Sequence, residues 1–314
     1  MFIRDVKKCT KSGLYIDTTS SNKEITKTNT ENFSDKWNRF YSTDSRKEYD
    51  NFQSKWFETL YGLSRNQLLK DLNGVNILDA GCGGGDKTHS MSKINQNCYF
   101  WGADLSNELG TKSKEVKDLH NIEYIQSDIA ALPFKNDFFD LIICDQVLHH
   151  TENPQNTLFE FNRLLKQGSE LLTYVYNKKA DPRELLDQYF IDERKFNADD
   201  LFDMSHELTI LGKFLQENFK GEHDFPGVSL INIPAERKSL QRFIYDNFIK
   251  CFYNSEMGFN QSVLVNYDWY IPDIAYRYSL DEFKDMCKAA GFEFIYLHTE
   301  PSCISGRLKK IKDI

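Results

Sequence analysis

The chain reads as an α/β protein built on a doubly wound, mostly parallel sheet. Three observations predict this. From Val75 onward short apolar runs alternate with helical stretches. Gly81, Gly83 and Gly85 follow the first run at alternate positions. The alternation stops after Tyr176 and returns at Ser279, so residues 177–278 stand as an insertion. Strand and helix alternating at this period imply parallel strands with helices on both faces.

Residues 1–70 read as an N-terminal arm and helices. Residues 1–30 are polar and rich in Lys, Thr, Ser and Asn. They suggest a loosely ordered arm with a short hairpin around Gly13. Further on, aromatics stand among charges: Phe33, Trp37, Phe40, Tyr41, Phe52, Trp56, Phe57 and Tyr61. Phe52, Trp56 and Leu60 recur at helical spacing. This part is expected to pack near the cofactor site.

The core is expected to span 71–176 and 279–314. Its first strands are Val75–Leu78, closed by Asp79, then Cys98–Ala103, Ile122–Gln126, Leu141–Cys144 and Glu170–Tyr176. Helices are expected near 86–94, 107–119 and 154–166. Ser279-Leu-Asp-Glu282 is a capping box that opens a helix running to about Ala290, and Gly291 suits its C-cap. Phe292–His298 and Cys303–Leu308 complete seven strands, the last antiparallel. The whole is then a Rossmann-like fold with a helical cap insertion. Residues 177–278 carry too many aromatics, and too little Gly, Ser or Pro, for a linker.

Composition narrows the function. The chain has 314 residues, a net charge of −8 and 14% aromatics. The acidic balance argues against a nucleic-acid surface. No apolar run approaches the roughly 18 residues needed to span a bilayer, and the start lacks a signal-peptide core. A cytoplasmic protein acting on a small molecule, with no membrane partner, is expected. The seven cysteines form no C-x-x-C pair, so no metal or disulfide framework is expected. Cys82 and Cys144 read as small buried residues.

The segment Val75-Asn-Ile-Leu-Asp-Ala-Gly-Cys-Gly-Gly-Gly-Asp86 carries the chemistry. Glycines let the backbone turn tightly and approach a ligand. Ligands of parallel sheets sit beyond the strands' C-terminal ends. Asp79 at that edge can accept from an ammonium but would repel a pyrophosphate. The pattern therefore points to S-adenosylmethionine rather than NAD. Asp104, with Leu105 beside it, can accept both ribose hydroxyls. Asp128 can accept from an adenine amino group, and Ile129 can pack on the ring. Asp145-Gln146 ends the fourth strand at the same edge.

These residues resemble the class I S-adenosylmethionine-dependent methyltransferases, in the broad UbiE-like, type 11 subgroup. Leu78-Asp-Ala-Gly-Cys-Gly-Gly-Gly85 is similar to the family's first motif. Asp104 matches its ribose-binding acid and Asp128 its adenine-contacting acid. Phe139-Asp-Leu-Ile-Ile-Cys-Asp-Gln-Val-Leu-His-His150 resembles its fourth motif. Arg163-Leu-Leu-Lys-Gln-Gly168 resembles the turn before its fifth strand, with Gln167 and Ser169 in place of the usual Pro and second Gly. Asn266-Tyr-Asp-Trp-Tyr-Ile-Pro-Asp-Ile-Ala-Tyr-Arg277 is similar to a stretch in bacterial methyltransferases associated with surface glycans or natural products.

The resemblance implies methyl transfer to an oxygen or nitrogen of a small molecule, a sugar or natural-product intermediate among the choices. His149 and His150 follow the fourth strand and are the candidate general bases, since imidazole titrates near neutrality. Tyr176, Arg183, Trp269, Tyr270 and Arg277 are the candidate acceptor contacts. Two other readings stay open: a non-catalytic S-adenosylmethionine-binding protein, and an NAD-binding oxidoreductase. The latter would want G-x-G-x-x-G without a preceding acid.

Overall fold

A computed structural model describes residues 1–19, 46–192 and 196–314. Phe33, Trp37, Phe40 and Tyr41 lie outside the described residues. The chain forms two compact units. Within the described residues the first comprises 1–19, 54–177 and 274–314, and the second 46–53, 178–192 and 196–273.

The hairpin expected around Gly13 is present, and over residues 1–19 it is tied to the sheet rather than held in a loose arm. Strands β1 (Val6–Lys8) and β2 (Tyr15–Asp17) form a hairpin, and Gly13 adopts φ +77° between them. β2 then pairs in parallel with β5 (Ile122–Gln126). The reason is a buried anchor. Asp17 is 5% exposed and accepts from Arg4 and from the Ser127 hydroxyl at 2.9 Å. Phe2 packs 5.8 Å from the Trp101 ring and 5.1 Å from Phe134.

Helix α1 (Arg46–Tyr61) ends in Phe57, Leu60 and Tyr61, all buried. A short α2 (Arg65–Leu69) follows, with Ser64 and Gln67 forming a reciprocal cap. The alternation expected from Val75 then appears as β3 (Asn76–Ala80), α3 (Asp86–Ile94), β4 (Tyr99–Asp104), α4 (Leu109–Val116), β5, β6 (Phe139–Cys144), α5 (Pro154–Leu164) and β7 (Leu165–Asn177). Asp79 does not close its strand. It is the fourth of five strand residues and pairs with both Gly102 and Ile143. The expected turn before the fifth strand is also absorbed. Gly168 takes φ +78° inside β7, and the register against β6 jumps between Phe139↔Leu165 and Leu141↔Glu170. The segment is a bulge in one long strand.

The second unit holds α6 (Asp181–Asp192), α7 (Ala198–Asn218), a short β8–β9 hairpin (His223–Phe225, Glu236–Lys238), α8 (Leu240–Asn247) and α9 (Phe259–Tyr270). Asn197 caps α7 reciprocally with Asp200. The insertion is thus helical with a hairpin that its pattern did not announce.

The chain returns to the sheet through β10 (Arg277–Tyr278), α10 (Leu280–Ala289), β11 (Phe292–Glu300) and β12 (Cys303–Lys310). Ser279 and Glu282 form the expected capping box, and Gly291 adopts φ +78° just past the helix. The sheet order is β1-β2-β5-β4-β3-β6-β7-β12-β11, with β10 on β7. It has ten strands; β1, β2 and β10 join the seven expected. β12 runs antiparallel to both neighbours, β7 and β11.

The core follows from strand alternation. Leu78, Ala80, Trp101, Ala103, Ile142 and Cys144 share one face and pack with Leu158, Phe161, Phe283 and Cys287 of α5 and α10. The strand order reverses between β3 and β6, the place where open α/β sheets hold their ligands.

Candidate active site

Four carboxylates gather at the C-terminal edge of the first unit's sheet. Asp79 lies near the end of β3, Asp104 ends β4, Asp128 follows β5 by two residues, and Asp145 directly follows β6.

Asp79 is 6% exposed, and its Oδ2 accepts from the Thr88 hydroxyl at 2.6 Å. Burial pushes its pKa up to about 6, with Thr88 and then Lys87 opposing. A buried carboxylate in that state is stabilised by any cation brought to it. The loop beyond it is built from left-handed glycines: Gly81 at φ +79°, Gly83 at +56° and Gly85 at +85°. Gly81 has a second reason. A Cβ there would stand 2.4 Å from a Val147 methyl. The Gly81 amide donates to the Ala103 carbonyl at 2.8 Å, tying loop to β4.

Asp104 binds the same loop. Its Oδ2 accepts from the Gly83 amide at 2.9 Å, and its Oδ1 from the Ser106 amide at 2.8 Å. Burial raises its pKa, and these amides work against that. Leu105 is half-buried, and its carbonyl accepts from Gln126 at 3.0 Å. Asp128 Oδ1 accepts from the Ala130 amide at 2.9 Å, and Ile129 is buried.

Asp145 accepts from the Tyr61 hydroxyl at 2.9 Å, and Lys87 lies 3.4 Å from its other oxygen. Tyr61, Thr88 and Lys87 were not anticipated as site residues. Tyr61 comes from the end of α1, and its contact with Asp145 spans 84 positions, so no local pattern announces it. Gln146 sits at φ +65°, a strained conformation for a residue with a side chain.

The histidines form an aromatic cluster with the end of β7. His149 is fully buried, its ring 3.9 Å from that of Tyr176 and 4.0 Å from that of His150. Its Nδ1 lies 3.4 Å from the Tyr174 carbonyl. His150 is half-buried, and its Nδ1 lies 2.6 Å from the Ile274 carbonyl. A carbonyl can only accept, so this contact places the proton on Nδ1 of neutral His150 and the lone pair on Nε2. Arg277 pairs in register with Tyr176.

Of the five expected acceptor contacts, the structure therefore brings Tyr176 and Arg277 together with the histidines. Arg183, Trp269 and Tyr270 lie in the second unit, all buried. There Asp187 Oδ2 accepts from Arg183 Nε and from the Trp269 indole, each at 2.9 Å.

Residues 71–217 match the model of a methyltransferase-domain family. The demethylmenaquinone methyltransferase of Staphylococcus saprophyticus is 28% identical over 186 residues, 57% of this chain and 73% of that one. Its counterpart in Lactococcus lactis is 31% identical over 158 residues, 48% of this chain and 61% of that one. Among solved structures, a putative S-adenosylmethionine-dependent methyltransferase from Listeria monocytogenes aligns with a TM-score of 0.46 at 13% identity, covering 83% of this chain and 99% of that one.

Proposed function

The chain belongs to the class I S-adenosylmethionine-dependent methyltransferases, and we propose that it methylates an oxygen or nitrogen of a small molecule. One observation carries the reading of the donor site. At the point where strand order reverses, a buried acid and a left-handed glycine loop stand beside a second acid that the loop's own amide holds. The donor set fits a cofactor with an ammonium and a ribose and no phosphate.

In this reading Asp79 accepts from the cofactor's ammonium, while Gly81, Gly83 and Gly85 let the backbone pass close to it. Asp104 accepts from the ribose, Leu105 and Ile129 line the adenine, and Asp128 accepts from its amino group. Asp145 and Gln146 border the amino-acid end, with Tyr61 and Lys87 fixing the carboxylate's direction. S-adenosylmethionine supplies a methyl on a sulfonium, the hard chemistry of the reaction. The protein's task is to align an acceptor with it. Positioning alone can lower such a barrier by roughly 7–11 kcal/mol.

His150 is the proposed base where the acceptor is a hydroxyl. It donates from Nδ1 to the Ile274 carbonyl, and it is half-buried where His149 is wholly enclosed. Tyr176 and Arg277 are proposed to border the acceptor. The determinants of acceptor choice are proposed to lie in the inserted part of the second unit, residues 178–273, which departs from the sheet just after Tyr176 and returns just before Arg277.

A second reading has support of its own. The relatives named as demethylmenaquinone methyltransferases suggest a quinone-like acceptor methylated at carbon. Calorimetry with S-adenosylhomocysteine tests the donor site. Methyl release to hydroxyl, amine and hydroquinone acceptors separates the two readings. Tight binding with no release to any acceptor would favour a non-catalytic role.

A further inference from the structure

The second unit gathers buried charges that the proposed donor site does not use. Lys179, Arg183 and Lys250 are 9%, 1% and 4% exposed. All three surround one indole. From the Trp269 ring centroid, Lys250 Nζ lies at 4.4 Å, Arg183 Cζ at 5.1 Å and Lys179 Nζ at 5.7 Å. Arg183 and Lys250 each also stand 5.6 Å from the Tyr245 ring.

The positions come from four places in the chain. Arg183 projects from the first turn of α6, and Trp269 from the last turn of α9. Lys179 precedes α6, and Lys250 follows α8. Their polar bonds are unequal. Arg183 is well held, with Asp187 on Nε and the Tyr245 carbonyl on another nitrogen. Lys250 has only the Tyr245 hydroxyl as a hydrogen-bond partner among the described residues, at 3.5 Å, the outer limit for such a bond.

An added anion would give the Lys250 ammonium a matching charge. The groups that bear most on Lys250 are Arg183, Asp268, Lys179 and Asp187, two cations and two carboxylates. Its own ammonium is a fifth charge. Burial, and then the Arg183 cation, push its pKa well below the ordinary lysine value. A buried ammonium is expensive without a matching anion. Aromatic faces offset part of that cost and also exclude water from whatever binds there.

We propose that Lys179, Arg183 and Lys250, gathered round Trp269, bind an anionic group of the methyl acceptor, a phosphate or a carboxylate. Placing this group on the acceptor rests on the reading that the second unit bears the acceptor's determinants. The binding itself rests only on the cluster. Arg183 supplies a planar fork suited to oxyanions, Lys250 a point charge. Asp187 keeps Arg183 in place by taking one of its N–H groups. Asp268, the second carboxylate, keeps the site from being so positive that it could not fold empty.

The test uses the full chain and two probes, inorganic phosphate and acetate, titrated by calorimetry in two buffers of different ionisation heat over a series of rising pH. Saturable binding of either anion is expected, with net proton uptake that grows as pH rises and Lys250 is charged only by the bound anion. Lys250→Met should weaken that binding at least tenfold and abolish the proton uptake. Lys250→Arg should retain the affinity within a few-fold while losing the uptake, because arginine stays charged. Tighter phosphate points to a phosphorylated acceptor, tighter acetate to a carboxylic acid. Affinity for S-adenosylhomocysteine should stay within twofold throughout. No saturable binding of either anion by chain that still binds S-adenosylhomocysteine overturns the proposal. So does unchanged affinity in folded Lys250→Met. Should that variant not fold, the wild-type uptake and Lys250→Arg decide. Anion binding without S-adenosylhomocysteine binding would instead sink the donor-site reading and leave this one standing.

Discussion

The backbone amide of Gly83 donates a 2.9 Å hydrogen bond to Oδ2 of Asp104. Loop and acid are thereby joined to each other. The carboxylate is aimed by Gly83 on one oxygen and Ser106 on the other. Asp104→Ala removes both the proposed ribose acceptor and the loop's tether. S-adenosylhomocysteine affinity should fall by roughly 1–3 kcal/mol, the range for losing hydrogen bonds to a charged group. Isothermal calorimetry on a variant with wild-type melting is the check. An unaltered Kd would remove Asp104 from the site.

Asp79 should make cofactor affinity pH-dependent. Its pKa in the folded protein is about 6, against 3.8 as the ordinary value. A raised carboxyl pKa means the fold holds a proton that the unfolded chain has lost. Its contribution to stability is therefore present below the unfolded value and lost as pH rises from about 3.8 through about 6. A cationic ligand reverses this preference, because it favours the carboxylate. S-adenosylhomocysteine affinity should fall by up to tenfold per pH unit below about 6. Asp79→Asn should bind more weakly and lose that slope. A flat profile in the wild type would separate Asp79 from the ammonium.

Gly81 tests the loop's geometry. Alanine would combine a left-handed φ with a Cβ 2.4 Å from Val147. Overpacking of this kind costs roughly 1–3 kcal/mol, and the displaced loop should weaken cofactor binding as well. Val147→Ala in the same chain removes the two methyls but leaves the Val147 Cβ 2.8 Å away, so it should recover only part of the steric loss and none of the backbone strain. If Gly81→Ala melts like the wild type, the loop is more yielding than its contacts imply.

His150 and His149 should behave differently. For a hydroxyl acceptor, His150→Ala is expected to cut turnover by roughly 10²–10⁴-fold with cofactor affinity intact, and to abolish the acid limb of the pH–rate profile. His149→Ala opens a cavity against Tyr176 and should chiefly lower the melting temperature. Near-normal turnover in His150→Ala would leave alignment as the whole of the protein's contribution.

Asp187 should matter to stability more than its single charge suggests. One oxygen serves both Arg183 and the Trp269 indole in a buried setting. Asp187→Ala leaves a guanidinium and an indole N–H without it, at an expected cost of about 3–5 kcal/mol. Urea unfolding is the measurement. A loss below about 1 kcal/mol would mean that other groups compensate.

The sheet was legible because its strands are apolar runs bounded by turns, and its helices carry local caps. Ser279 with Glu282 and the glycine loop are written within a few residues of chain. The acids were legible as a series, each standing at or just beyond a strand end. What was not legible depends on distance along the chain. Tyr61 meets Asp145, and Phe2 meets Trp101, through contacts that no periodicity encodes. Lys250 stands in no motif or spacing that marks it, and only folding buries it beside Trp269. The role expected for Arg183 and Trp269 came from residue type, while their bonding to Asp187 came from the fold.

The two-residue strand β10 sits parallel on β7, with Arg277 opposite Tyr176 and Tyr278 opposite Asn177. Neighbouring parallel strands cannot be joined by a tight turn and need a crossover of roughly a dozen residues or more. The second unit supplies that crossover. Its two stems are therefore held side by side by the sheet itself, whatever lies between them. Such a socket fixes both ends of the insert without dictating the fold between them. Under the proposed division of labour, a graft between Asn177 and Arg277 has to respect the stem spacing and the minimum length, and this is the seam at which the core would be moved onto a new acceptor.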